Sequence, residues 1–437
     1  GRFDLNLTSR WDGASPEAIE GRLIVTDLRL PLPDDPAPIV IQGLDTTLAW
    51  QGTRESWQLD MDRLRVGLTR APWLVGRVQM EVQPEQLRLD VEHIDMADVT
   101  AFASGLARKH RLLDWLRATQ PTGNLNRLRM ELTGPVLAPS EYRAHGELRN
   151  VGFDVYERLP GMRGLSGDLD ITEAGGEFRL DSNNLQVLLP RLWREPLALQ
   201  NLESRIRWRQ NRDDWFVQAQ NIQLLASDAR AHGDVELRMP KDQSSPVLKA
   251  DISFSDGDGS KAARYYPLTL PQPLRDWLER AVITGRITDG HVLFHGALAN
   301  FPFRDGKGRF EARAHVKEGV FEYLPGWEPL RDIDANLYFT GTNMLITSNH
   351  ARIRSLEVGR TAVAIDDFKP PGGAVVTVQA RVNGALQETL GVLADSKTPL
   401  FTSWVPVGTR AEGQGSLTLD LRIPAPAPKN TAIAGVY

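Results

Sequence analysis

Apolar and polar residues alternate with period two along most of the chain. Leu87, Leu89 and Val91 alternate with Arg88, Asp90 and Glu92, and Leu128, Met130 and Leu132 with Arg129 and Glu131. Phe178 and Leu180 flank Arg179, Val235 and Leu237 flank Glu236, and Ile252 and Phe254 flank Ser253. Leu337 and Phe339 flank Tyr338, and Leu417, Leu419 and Leu421 alternate with Thr418, Asp420 and Arg422. Successive side chains of a strand point to opposite faces, so each segment predicts a strand with one apolar and one wet face. That pattern belongs to antiparallel sheets. Val292-Leu293-Phe294 is apolar throughout; its phase after Gly285 and Gly290 puts Val292 and Phe294 on the apolar face. Gly175-Gly176, Asn183-Asn184, Gly341-Thr342-Asn343 and Gly372-Gly373 are expected at hairpin turns, which often need φ > 0.

Three segments break the period and predict short amphipathic helices: 97–120, 260–283 with a proline interruption, and 385–404. They belong to a larger repetition. Ile41-Gln42-Gly43-Leu44-Asp45 leads to Trp50 and Trp57, and Leu199-Gln200-Asn201-Leu202-Glu203 leads to Trp208 and Trp215, both tryptophans displaced by 158 residues. Leu113-Asp114-Trp115-Leu116 with Gly123 returns as Arg275-Asp276-Trp277-Leu278 with Gly285, displaced by 162. Leu159-Pro160-Gly161 returns as Leu324-Pro325-Gly326, displaced by 165, and Trp404 with Gly408 marks a third, weaker copy. The period far exceeds that of common solenoids, so each unit reads as a small sheet plus a helix. The expected organisation is the end of a preceding β unit over 1–40, a first repeat over 41–198, a second over 199–360, and a truncated third over 361–437.

Composition narrows the class. The 437 residues are 41% hydrophobic and 24% charged, a globular mix. With 51 Lys+Arg against 56 Asp+Glu, the net charge of −5 gives no basic excess to displace counterions from phosphates, so no nucleic-acid partner is expected. Cysteine is absent, which removes disulfides, thiolate metal sites and cysteine nucleophiles. No run of about 18 apolar residues occurs, and no signal peptide is expected. The chain starts inside an alternating pattern and ends shortly after the loop Pro424-Ala425-Pro426-Ala427-Pro428, and both ends read as cuts through a longer protein.

No catalytic constellation emerges. His291 and His295 share one face of a strand, but no third ligand is placed beside them, and they read as solvated or turn histidines. Asp256-Gly257-Asp258-Gly259-Ser260 starts like a calcium loop, yet the twelfth position is Pro267 where that loop needs Glu; it reads as a turn. Arg304-Asp305-Gly306-Lys307-Gly308 lacks the phosphate-loop spacing and reads as a hairpin tip. Asn6-Leu7-Thr8 matches a glycosylation sequon, a pattern that also arises by chance. The Trp50/Trp57 and Trp208/Trp215 pairs suit cross-strand packing better than sugar stacking. The expectation is therefore no enzyme, no metal and no cofactor. So many amphipathic strands with few helices must curl onto themselves, pack as a sandwich, or hold an apolar ligand, since exposed patches of that size are not tolerated.

An ordered set of residues carries a resemblance: Tyr265-Tyr266-Pro267, Leu274-x-x-Trp277-Leu278, Gly285, Phe301-Pro302-Phe303, Gly308-x-Phe310, Tyr323-Leu324-Pro325-x-Trp327 and Asn343-Met344. Together they resemble the central region of the YhdP family of AsmA-like proteins. The match is clearest over 260–350. The first copy, over 110–185, keeps the order but lacks Phe-Pro-Phe and has Met162 where the second has Trp327. The resemblance implies a mainly β fold: an elongated, tandem-repeat, taco-like antiparallel β-groove of the bridge-like lipid-transfer type, with short helices between units. It implies a periplasmic body in a Gram-negative cell, an inner-membrane anchor missing from this fragment, and contact with the outer membrane. Phospholipid is the implied partner, moved between the two membranes.

On that reading the groove lining is Leu87, Leu89, Val91, Leu128, Met130, Leu132, Phe178 and Leu180 in the first copy. In the second and third copies it is Val235, Leu237, Ile252, Phe254, Val292, Phe294, Leu337, Phe339, Leu417, Leu419 and Leu421. A structural array of sandwiches and an envelope glycan binder remain as alternatives.

Overall fold

The computed structural model describes residues 2–30, 39–67, 72–104, 111–134, 140–157, 159–395, 408–427 and 431–436. It is mainly β, and every strand pairing found is antiparallel. The chain divides into two units: Gly1–Pro190 with Glu195–Ala219, and Arg191–Arg194 with Gln220–Tyr437.

The first unit holds β1 (Arg2–Asp12), β2 (Ser15–Leu30), β3 (Ile39–Gly52), β4 (Trp57–Gly67), β5 (Pro72–Gln83) and β6 (Gln86–Asp95). Helices α1 (Met96–Ser104) and α2 (Arg111–Thr119) follow, then β7 (Thr122–Thr133), β8 (Glu141–Phe153), β9 (Gly161–Thr172), β10 (Gly175–Leu188) and β11 (Leu197–Gln210). Each strand from β1 to β11 pairs with its successor, giving an open ladder. Strand β12 (Asp214–Ala226) has residues in both units.

The second unit holds β13 (Arg230–Pro240), β14 (Val247–Ser255), the two-residue β15 (Gly257–Asp258), a 3-10 helix (Gly259–Tyr265), α3 (Gln272–Ala281) and β16 (Val282–Ala297). It continues with β17 (Arg309–Phe321), β18 (Leu330–Thr340), β19 (Met344–Ile353), β20 (Leu356–Ile365), β21 (Val375–Ala385), α4 (Leu386–Asp395), β22 (Gln414–Pro424) and β23 (Ala432–Val436). Here β14 pairs directly with β16, so the helical segment between them leaves the ladder unbroken.

Helices occur in all three expected segments among the described residues. The 97–120 segment gives α1 and α2. The 260–283 segment gives the 3-10 helix and α3, separated by the stretch that holds Pro267 and Pro271, where proline removes a backbone donor. The 385–404 segment gives α4, and its part beyond Asp395, with Trp404, lies outside the described residues. Antiparallel pairing returns alternate connections to the same edge. In the first unit the helices therefore lie at one edge of the ladder and the shortest turns, such as Glu173–Ala174, at the other; in the second, α3 and α4 share their edge with the two-residue turn Arg354-Ser355, and a short 3-10 helix (Leu298–Asn300) lies at the opposite edge.

The repeat accounts for how the helices dock. Trp115 of α2 tilts onto Phe153 at the end of β8, centroids 6.1 Å apart, and Trp277 of α3 meets Phe321 at the end of β17 edge-on at 5.6 Å. The Trp277 indole also donates to the Tyr323 carbonyl. In the second unit the 3-10 helix is pinned by Asp228, which accepts from the Tyr265 hydroxyl at 2.7 Å and from Arg264 at 3.4 Å. Burial, and then this bond to Asp228, push the Tyr265 hydroxyl pKa up.

Two turn assignments need correction. Asn183-Asn184 is not a hairpin turn but part of a bulge within β10: the register with β9 slips between Leu180 and Gln186, and Asn184 takes φ 56°. Gly175-Gly176 opens β10 just after the turn, where a Cβ on Gly176 would lie 2.4 Å from the Trp208 ring that covers it. Gly341-Thr342-Asn343 and Gly372-Gly373 lie in hairpin connections as expected.

Bulges of this kind recur strand after strand. In the first unit register slips surround Arg63, Arg127 and Asn150, all at positive φ; in the second they surround Glu318 and Asp332. A bulge bends its strand and raises the local twist. Buried serines stitch three of them together. The Asn150 N–H donates to Ser166 Oγ at 2.9 Å, and the Ser166 N–H donates to Ser182 Oγ at 2.8 Å. Ser182 is fully buried, so Ser182→Ala should leave the Ser166 N–H without a partner and cost about 1–3 kcal/mol. Equilibrium urea unfolding with an unchanged slope checks this.

Candidate functional site: an apolar strand face

Directly opposed residues of an antiparallel pair point to the same face, so the registers decide which apolar residues stand together. In the first unit Leu87, Leu89 and Val91 of β6 oppose Leu132, Met130 and Leu128 of β7. On the other side they oppose Val82, Met80 and Val78 of β5, which in turn face Trp57, Leu59 and Met61 of β4. The row continues through Trp50 and Leu48 to Ile19 and Gly21 and ends on Leu7, Leu5 and Phe3 of β1. In the other direction Met130 opposes Ala144, Ala144 opposes Ile171, and Leu169 opposes Phe178. Leu180 shares that face, opposite Gly167 and Ser204. Every lining residue expected in the first copy therefore stands on one face of the first unit.

The second unit repeats the arrangement. Leu237 opposes Leu248, and Val235 opposes Ala250. Ala250 and Ile252 oppose Phe294 and Val292, while Phe254 covers Gly290. Phe294 opposes Phe310, and Ala312 and Ala314 oppose Phe339 and Leu337. The row continues through Met344 and Ile346, Ile365 and Val363, Val376 and Val378 to Leu421, with Leu419 and Leu417 on the same face of β22. All expected residues of this part again share one face.

The face is only partly covered. Among the expected lining residues Val91, Phe178 and Leu180 are buried, and the others are half-buried. The buried apolar side chains concentrate beside the bulges. Leu64, Val75, Val78 and Val91 form one cluster, packed by Leu44, Met61, Leu89 and Leu128. Val151, Leu165 and Leu185 are buried next to the serine-linked bulges of β8, β9 and β10. Phe3 and Leu5 on β1 stay more than half exposed, at 59% and 54%.

The opposite face is a lattice of ion pairs. Arg22 forks onto Asp45, Arg77 onto Asp60, Arg129 reaches Asp90, Arg88 bridges Glu81 and Glu131, and Arg207 reaches Glu177. These bonds hold the carboxyls of Asp45, Asp60 and Glu177 below their ordinary range, the arginine hydrogen bond being the largest cause in each. Exposed pairs of this kind add little stability; their consequence is a face that stays wet. In the second unit His291 bonds Asp251 at 2.8 Å and His315 bonds Asp334 at 2.7 Å. His291 is thus engaged with a carboxylate, and His295 sits between Lys249 and Arg309 in the ladder, a cationic setting unsuited to a metal.

Asp256–Ser260 is more than the expected turn: Asp256 is a bend, Gly257–Asp258 form the short β15 against β16, and Asp258 caps the 3-10 helix. Arg304–Gly308 lies in the turn between β16 and β17, where Arg304 forks onto Asp367 at 2.7 and 2.5 Å. That fork, and a backbone donor from Lys369, hold the Asp367 pKa at about 2. Its folded value lies below the unfolded value of about 3.9. The pair therefore contributes above about pH 4 and is lost as pH falls through about 2. Titration of the Asp367 carboxyl carbon by NMR should show a midpoint near 2 in the native chain and a higher one in Arg304→Ala, still below the unfolded value because the Lys369 N–H remains a donor.

Sequence reading missed the share of β3 to β5 and of β19 to β21 in the apolar face, although Leu59 with Met61 and Val376 with Val378 carry the same alternation. It also gave Phe301 and Phe303 no role beyond the resemblance. Trp50 and Trp57 lie half-buried on the apolar face, packed in the ladder.

Comparison with known proteins gives two findings. The family described as YhdP protein matches residues 1–437. A curated relative, the "Intermembrane phospholipid transporter YhdP" of Escherichia coli (strain K12), is 24% identical over 332 residues, covering 72% of this chain and 26% of the relative. The chain thus spans about a quarter of that relative's length. No solved structure matches.

Proposed function

The chain belongs to the YhdP protein family, and from that premise we propose that its apolar strand face shields phospholipid acyl chains during transfer between the inner and outer membranes. The observation that carries the reading is the register: one apolar row per unit, only partly covered, backed by an ion-paired wet face. A folded protein has no stability reason to leave so much apolar surface uncovered. Each CH₂ of an acyl chain removed from water is worth about 0.8 kcal/mol, and contacts of this kind are non-directional. A chain can therefore slide along the row without a deep trap, its headgroup remaining in water.

The burial maxima beside the bulges support placing this face on the inside of the bend, as the floor of a groove. Each of the tandem repeats, at 41–198, at 199–360 and from 361, would carry its own stretch of such a groove. The curated relative's name supports phospholipid as cargo. A periplasmic position and membrane contacts made by parts beyond this chain complete the proposal. No helix among the described residues is long and apolar enough to cross a membrane. The chain acts here as a conduit, with no chemical step assigned to it.

Mass spectrometry of organic extracts from the purified protein tests the reading. Stoichiometric phospholipid is expected, and it should vanish after delipidation and return on incubation with vesicles. A clean, lipid-free preparation that takes up none from vesicles would overturn it.

A further inference from the structure

Four phenylalanines meet where β16 turns into β17. Phe294 and Phe310 are cross-strand partners on the apolar face. Phe301, from the connection, stacks on Phe294 with centroids 6.1 Å apart and rings 21° from parallel, and meets Phe310 edge-on at 5.5 Å. Phe303 lies beneath, 5.2 Å from Phe294, and is buried. The backbone leaves room for it. A Cβ on Gly296 would come within 2.5 Å of the Phe303 ring, and one on Gly308 within 2.2 Å.

The connection is fastened from several sides. The Ala299 N–H donates to Ser245 Oγ at 2.9 Å, and the Phe303 N–H to the Asn300 carbonyl at 2.6 Å. The Arg304 fork ties the loop to Asp367, in the connection between β20 and β21, and Arg304 also reaches the Lys369 carbonyl. Yet Phe301, held in this frame, is 49% exposed. Packing alone is satisfied by Phe303. A half-exposed phenyl fixed at the end of the apolar row keeps one side against Phe294 and Phe310 and offers the other to whatever lies on that row. The corresponding connection of the first unit, Gly134-Pro135-Val136-Leu137-Ala138-Pro139-Ser140, contains no aromatic residue.

The geometry points to Phe301 as an aromatic bracket that contacts the acyl chains at the hairpin edge of the second unit, a station of tighter contact than elsewhere along the face. This rests on the acyl-chain reading above. The aromatic ring supplies a broad, rigid contact at low entropy cost, and the Arg304–Asp367 fork is the positioning device that holds it in place.

The test uses a photo-reactive aromatic residue placed singly at Phe301, Met130 or Arg129 in the full-length protein in cells, with captured lipid measured by mass spectrometry. Capture at Phe301 at least as strong as at Met130, and at least fivefold above Arg129, supports the bracket. Capture at Met130 without Phe301 overturns the bracket and leaves the lipid reading standing. Capture at neither site removes both, whereas capture at Phe301 alone keeps the bracket and confines lipid to the second unit. Arg304→Ala should lower capture at Phe301 about threefold while capture at Met130 stays unchanged. Unchanged capture at Phe301 would strip the fork of its positioning role.

Discussion

Leu237→Asp is expected to leave the protein folded while cutting recovered phospholipid at least fivefold. Leu237 stands on the apolar face of β13, opposite Leu248, and is half-buried. In a closed core a lone carboxylate costs several kcal/mol, because it loses its hydration and finds no partner. On a half-exposed face water reaches the charge whenever the lipid leaves. The loss is then limited to the leucine's own packing and shielding, about 1–2 kcal/mol. That lowers the unfolding midpoint by only a few degrees in a unit of this size. Lipid is affected far more, because a charge facing the acyl chains must be desolvated each time a chain passes. The paired readout is thermal unfolding of the purified chain and lipid balance in cells carrying the full-length variant. Gross unfolding would show the face to be a dry core, and normal lipid handling by a folded variant would remove Leu237 from the path.

Much of the fold was legible because its physical cause is local. A strand with one wet face must alternate, and segments such as 87–91 and 417–421 do so without exception. The helices were legible for the same reason: α3 carries Leu274, Trp277 and Leu278 at helical spacing. The bulges were not. Asn184 takes a left-handed conformation in the middle of β10, and asparagine favours that conformation equally in a turn. Only the register with β9 separates the two. Gly176 shows the same limit, its small size being required by Trp208, a residue of another strand.

The candidate site divides along the same line. Which residues are apolar on alternate positions is a property of each strand; which of them stand together is a property of pairing. The expected lining residues came from strands with clean alternation, and the registers bring them onto one face within each unit. The residues between them, such as Leu59, Met80 and Ile346, join only through their partners. The Phe301 cluster depends on a loop folding back over two strands, for which alternation carries no signal.

Segment 292–294 supplies the sharpest test of face against mere hydrophobicity. All three residues are apolar, so composition alone predicts equal contact with lipid. The register separates them. Phe294 opposes Ala250 and Phe310 on the apolar row, while Leu293 opposes Asp251 and Glu311 on the ion-paired side. A photo-reactive residue at Phe294 should therefore capture at least fivefold more lipid than one at Leu293. In the first unit Met130, opposite Leu89 and Ala144, should exceed Arg129, opposite Asp90 and His145, by a similar factor. The Leu293 position decides the matter, since a leucine in contact with lipid would cross-link as readily as its neighbours. Equal capture at Leu293 and Phe294 would mean that lipid reaches both sides of the sheet, and a one-sided conduit would be excluded. Capture at Phe294 and Met130 with little at Leu293 and Arg129 would leave a single face, defined by strand register, as the path of the acyl chains.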